Sequence, residues 1–200
     1  MDDFLIVSPS HTQSSPVMTQ ALIIIDIQND YFPGGRMPLH EVERAAENAR
    51  QLLERFRTAG LPMVHIQHTW EDPSAPFFVA GTPGAAIHEL VAPRAGETVV
   101  VKHFPNSFRE STLLNELRRV EADELTICGA MSHMCIDATT RAAADFGFQC
   151  SVAHDACATR DVEFEGKQVA AADVHAAYMS ALGFAYAKVM PTRDALKTIS

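Results

Sequence analysis

Leu125-Thr126-Ile127-Cys128-Gly129-Ala130-Met131-Ser132-His133-Met134-Cys135 passes from a short apolar run, through a glycine, into a helical pattern that continues from Ile136 to Phe146. This order places a cysteine in the first turn of a helix that follows a buried strand. Amide groups in that turn lack intrahelical partners and the helix dipole is positive there, so the position favours a thiolate over a thiol. A stabilised thiolate is a nucleophile.

The same alternation repeats outward along the chain. Strands are predicted over residues 21–27, 61–66, 98–102, 124–128, 148–153 and 185–190. Runs such as Leu22-Ile23-Ile24-Ile25 and Val99-Val100-Val101 are apolar without a break, as strands covered on both faces tend to be. Val42, Ala45, Ala46, Ala49, Leu52, Leu53 and Phe56 line one face of a helix that stops at Gly60. Further helices are predicted over residues 110–119, 134–146 with Gly147 after it, and 166–182 with Gly183 after it. Strand–helix alternation of this kind predicts a three-layer α/β/α sandwich around a mainly parallel six-stranded sheet, with right-handed crossovers. Ligands in such sheets bind beyond the carboxyl ends of the strands. The stretch from His68 to Glu97 breaks the rhythm with four prolines, Trp70, Phe77 and Phe78, and reads as a substrate loop or lid.

Bulk composition narrows the classes. The 200 residues, 47% of them hydrophobic, suit one domain over residues 18–200. A net charge of −9 argues against nucleic acid as a partner, and no apolar run approaches the roughly 20 residues of a membrane span. Cys128, Cys135, Cys150 and Cys157 show neither a C-x-x-C pair nor the density of a disulfide scaffold, which favours a reducing cytoplasm. Residues 1–17 begin with Asp2 and Asp3 and continue rich in serine and proline, unlike a signal peptide; they read as a flexible extension.

Two charged residues close apolar strands and should reach the same sheet edge as Cys135. They are Asp26, after Ile23-Ile24-Ile25, and Lys102, after Val99-Val100-Val101. Gln28 and Asn29 either orient Asp26 or hold the turn that follows it.

With these segments the chain resembles the isochorismatase-like cysteine hydrolases, which include nicotinamidases and N-carbamoylsarcosine amidases. The resemblance is carried by Ile25-Asp26-Ile27-Gln28-Asn29-Asp30-Tyr31-Phe32, by Lys102-His103-Phe104-Pro105-Asn106-Ser107-Phe108, and by Cys128 to Cys135. Gly84 to Leu90 and Asp155-Ala156-Cys157 add to it, and it spans residues 19–194. It implies a catalytic triad of Cys135 as nucleophile, Asp26 as general base and then acid, and Lys102 as electrostatic partner. It also implies a cis peptide between Ala130 and Met131, which turns the Met131 N–H toward the Cys135 N–H to form an oxyanion hole. A homo-oligomer, dimer or tetramer, is implied as well.

On this reading the substrate is a small amide, carbamoyl or ureido compound, and no cofactor is expected. Phe32 and His133, each close in sequence to a triad residue, and Trp70 of the long loop are candidate substrate-binding residues. His65 and His68 invite a metal reading, but three residues apart on a strand they point to opposite faces. The Asp-x-His of nicotinamidase-type members is missing from His65-Ile66-Gln67-His68-Thr69-Trp70, so no metal is expected. Vinyl-ether hydrolysis, or a thiol-sensing module without turnover, are the competing functions. A nucleotide-binding Rossmann protein fits poorly, because no G-x-G-x-x-G follows the first strand.

Overall fold

A computed structural model of the chain describes residues 19–200; the extension expected over 1–17 lies outside the described residues. Six parallel strands form the central sheet: β1 Gln20–Ile25, β2 Met63–His68, β3 Thr98–Lys102, β4 Glu124–Ala130, β5 Gln149–Ala158 and β8 Ala187–Met190, in the spatial order β3-β2-β1-β4-β5-β8. The sandwich expected from the sequence is the observed architecture. Alternation along β1 explains its two covered faces. Leu22 and Ile24 join α1 (Val42–Ala59) and α5 (Thr192–Thr198) in one apolar cluster. Ala21, Ile23 and Ile25 join α2 (Leu113–Arg119), α3 (Asp137–Asp145) and α4 (Ala171–Ala185) in the other.

The chain leaves β1 for β2 on one side of the sheet and enters β4 on the other. The crevice where strand order reverses therefore opens at the carboxyl ends of β1 and β4. Gly129 makes that approach possible. It sits at φ 128°, and a Cβ there would run into the carbonyl oxygen of Ile25. Only glycine suits such a position.

Three expectations need correction. The helix expected over 166–182 begins at Ala171. Before it, β6 (Val162–Phe164) and β7 (Lys167–Val169) pair as a hairpin, and Glu165 and Gly166 at its tip both have positive φ, as a two-residue hairpin turn demands. Gly183 does not end that helix, which runs on to Ala185. The helix expected from residue 110 starts at Leu113, because Glu110 adopts φ 52° and cannot open a right-handed helix.

Candidate active site

Asp26 follows the last residue of β1 and adopts φ 53°, a left-handed conformation uncommon outside glycine. Its amide still bonds to Ile66 O at 3.1 Å, so the sheet holds the backbone while the side chain turns toward Lys102, His68 and Cys135. Lys102 ends β3, two strands away. Its long side chain reaches over β2 and places Nζ 2.8 Å from Asp26 Oδ2 and 3.0 Å from Pro105 O. Both side chains are wholly buried. Cys135 lies in a π-helical turn over Ser132–Ile136 that leads into α3, with Ile136 N bonded to Met131 O at 3.2 Å. Such turns often mark functional sites. The Ala130–Met131 peptide immediately before it is cis.

The electrostatics of this trio differ from the sequence expectation in one respect. Burial, and then the Asp26 carboxylate, push the Cys135 thiol well above its ordinary range, and Lys102 offsets only part of this. In the ligand-free protein Cys135 is therefore a neutral thiol, not the thiolate that its helix-start position favours. Burial alone would lower the pKa of Lys102, but the Asp26 carboxylate beside it outweighs this and keeps the ammonium charged. Charge in this site is shared by a compact ion pair, with the sulfur as a proton donor beside it.

Surrounding residues take clear positions. Gln28 makes no hydrogen bond to the Asp26 side chain among the described residues. Its side chain accepts from His68 N and donates to His68 O and Ala85 O, each at 2.8 Å, which clamps the end of β2. Asn29 donates to Pro83 O. Asp30, buried, accepts from Phe78 N at 2.7 Å and from Arg36 N at 3.2 Å. The bonds that reach Ala85 O, Pro83 O and Phe78 N fix the long loop as a wall rather than a free lid. Trp70, 37% exposed, packs over His68 with ring centroids 5.0 Å apart. Phe32 stacks on His88 at 3.6 Å within the core, and His133 bonds through Nδ1 to Thr159 Oγ1 at 2.6 Å, so both are engaged in packing contacts. Cys135 keeps 3% exposure. A cavity of about 320 Å³ opens nearby, lined by His40, His154, Cys157 and His175 among others, and Cys135 is not in its wall.

His65 and His68 point apart, as strand alternation requires: His65 Nε2 meets Glu97 Oε2 at 3.1 Å, while His68 Nδ1 faces Asp26 Oδ2 at 4.0 Å. One ligand-type atom each from Asp26, His68 and Cys135 lies within 4.8 Å of the others. The Lys102 ammonium already neutralises the carboxylate of that set, so these donors suit proton handling better than a cation.

Comparison with known proteins agrees with this arrangement of strands and crevice. An isochorismatase domain model matches residues 20–181. An uncharacterised isochorismatase family protein of Bacillus subtilis (strain 168), YddQ, is 51% identical over 180 residues, covering 90% of this chain and all of that protein. A crystal structure of an isochorismatase hydrolase from Oleispira antarctica superposes with a TM-score of 0.88 at 52% identity, covering 92% of this chain and 99% of the other. Further off, the maleamate amidohydrolase of Pseudomonas putida is 28% identical over 193 residues, with 90% and 86% covered. Crevice, strand order and shared sequence lead to one conclusion: the chain belongs to the isochorismatase family and shares its hydrolase fold.

Proposed function

We propose that the protein is a cysteine-dependent hydrolase that cleaves a C–N bond in a small amide, carbamoyl or ureido substrate through a thioester. The observation that carries this reading is the wholly buried Asp26–Lys102 pair, 2.8 Å apart, beside a buried cysteine. A relative named for amide hydrolysis supports the same bond class.

Because the resting thiol is neutral, proton transfer accompanies attack. Asp26 takes the proton from Cys135 Sγ as the sulfur adds to the carbonyl carbon, and Lys102 keeps the neighbouring negative charge tolerable. Charge developing on the carbonyl oxygen is met by the N–H groups of Met131 and Cys135. Asp26 then hands its proton to the departing nitrogen, and the C–N bond breaks to leave the thioester. Water attacks next; Asp26 accepts its proton and returns it to sulfur, releasing the acid. A thiol-sensing role fits less well, since sensor cysteines are exposed and low in pKa.

The same reading takes the protein as a cytoplasmic homo-oligomer, dimer or tetramer, without a cofactor. All four cysteines are free, and Phe184 on α4 is 92% exposed, which supports a covered face in an assembly. The test is ammonia release from a panel of small amides and ureides by wild type and Cys135→Ala, with and without chelator. Turnover that survives loss of the sulfur overturns the thioester route.

A further inference from the structure

Two buried polar side chains, His68 beside Asp26 and Tyr31 across Phe78 from it, take no part in the chemistry above. His68 is 3% exposed, and neither ring nitrogen has a hydrogen-bond partner among the described residues. Its Nδ1 stands 4.0 Å from Asp26 Oδ2, too far for a hydrogen bond. Tyr31 is wholly buried, and its hydroxyl is equally without a partner among those residues. Both rings pack on Phe78, with centroids 6.1 Å and 4.5 Å from it, so they belong to one wall.

Buried polar groups in folded proteins are nearly always paired, and two unpaired ones on one wall, one of them within 4.8 Å of the Cys135 sulfur, need a reason. The backbone of each residue is held in place. Gln28 holds both backbone groups of His68, and Tyr31 N bonds to Gln28 O at 3.0 Å. Burial lowers the pKa of His68 against the pull of Asp26, with Lys102 adding to the fall, so its ring is neutral and offers one donor and one acceptor. Burial above all, with the Asp26 carboxylate adding to it, keeps the Tyr31 phenol protonated, so its hydroxyl is a donor.

Resting on the hydrolase reading of Cys135, we propose that His68 and Tyr31 form the polar edge of the substrate subsite. They select a neutral carboxamide or ureide whose nitrogen still bears an N–H. His68 lies on the Asp26 side, where the departing nitrogen must stand to receive its proton, and its free lone pair accepts that N–H. The Tyr31 hydroxyl donates to an oxygen of the same group. A carboxylate in this place would leave the imidazole acceptor unpaired and set a second negative charge near Asp26. A tertiary amide would offer the imidazole no hydrogen.

The test works whichever amide is the natural substrate. Cys135 is alkylated with iodoacetamide and with 2-iodo-N,N-dimethylacetamide, the modified peptide is followed by mass spectrometry, and each rate is divided by that of glutathione. Wild type should favour iodoacetamide by about tenfold, the effect of one hydrogen bond. His68→Leu should bring the ratio close to one, and His68→Gln should restore part of it. Tyr31→Phe should slow both reagents by a similar factor, since both carry the carbonyl. Melting temperatures of His68→Leu and Tyr31→Phe should equal or exceed that of wild type, because each removes an unpaired buried polar atom. An unchanged ratio in His68→Leu, a Tyr31→Phe variant that reacts as fast as wild type, a Cys135 inert to both reagents, or lower melting temperatures for both variants would overturn the subsite. If the preference behaves as stated but no amide is turned over, the subsite stands and the hydrolase reading falls. Amide turnover with no preference to lose does the reverse.

Discussion

Lys102 Nζ rests 2.8 Å from Asp26 Oδ2 although one ends β3, the other follows β1, and those strands are not neighbours in the sheet. Removing one partner strands the other charge in the core. Lys102→Met and Asp26→Asn should each cost about 3–5 kcal/mol in urea unfolding, while the double variant should lose less than the sum of the two. Each single change should also lower amide turnover by about 10²–10⁴-fold, measured as ammonia release. A Lys102→Met protein as stable as wild type would contradict the burial of the pair.

Gly129→Ala should be among the most damaging single-methyl changes in the chain. Its Cβ would enter the space of the Ile25 carbonyl and hold an L-residue at φ 128°. A loss of about 3 kcal/mol or more is expected in chemical denaturation. Because Ile25 precedes Asp26, activity should fall further than the folded fraction does.

Asp30→Ala should loosen the long loop. The buried carboxylate serves the amides of Phe78 and Arg36, and Gly84 packs directly against it. Stranding those amides should cost about 1–3 kcal/mol and expose the stretch between Trp70 and Gly84 to limited proteolysis. KM should rise more than kcat falls, since the proposed triad is untouched.

Stability should decline on acidification in two stages. Burial holds the folded pKa of His65 and of His68 below the ordinary 6.5. Below pH 6.5 the unfolded chain therefore binds protons that the folded chain refuses, and stability falls as pH drops. Glu97, hydrogen-bonded through both oxygens to Arg57, is held down to about 2 from 4.5. Its contribution is complete above pH 4.5 and disappears as pH falls toward 2. Urea midpoints at pH 8, 6, 4.5 and 3 check both stages. Glu97→Gln should flatten the second stage and keep the loss due to His68 in the first.

Much of this architecture is legible in the residues alone. Apolar runs mark five of the six sheet strands to within two residues, because parallel strands covered on both faces leave little room for polar side chains. The strand expected to stop at residue 153 runs on through His154 and Asp155 to Ala158. Asp26 and Lys102 stand out for the opposite reason, as charges that close such runs. The hairpin at Glu165-Gly166 is hidden because a two-residue turn between two three-residue strands leaves too short an alternation to read. The protonation of Cys135 is invisible for a different reason. Helix-start position is a local property, whereas the burial that outweighs it is set by packing from distant segments. The sequence raises His68 only as a possible metal ligand and Tyr31 only as part of a motif, because spacing along the chain does not show which polar atoms are left buried without partners. Only their unpaired polar atoms set them apart.

β3 is the outermost strand on its side of the sheet, with Val99 and Val101 partly open to solvent, and it carries the only ammonium that touches Asp26 among the described residues. Peripheral strands fray at lower free energy than the centre. Local detachment of this one segment would withdraw the cation and silence the site while five strands stayed folded. Heat inactivation would then precede bulk melting, and the margin between the two is governed by how firmly a single border strand is stitched to β2.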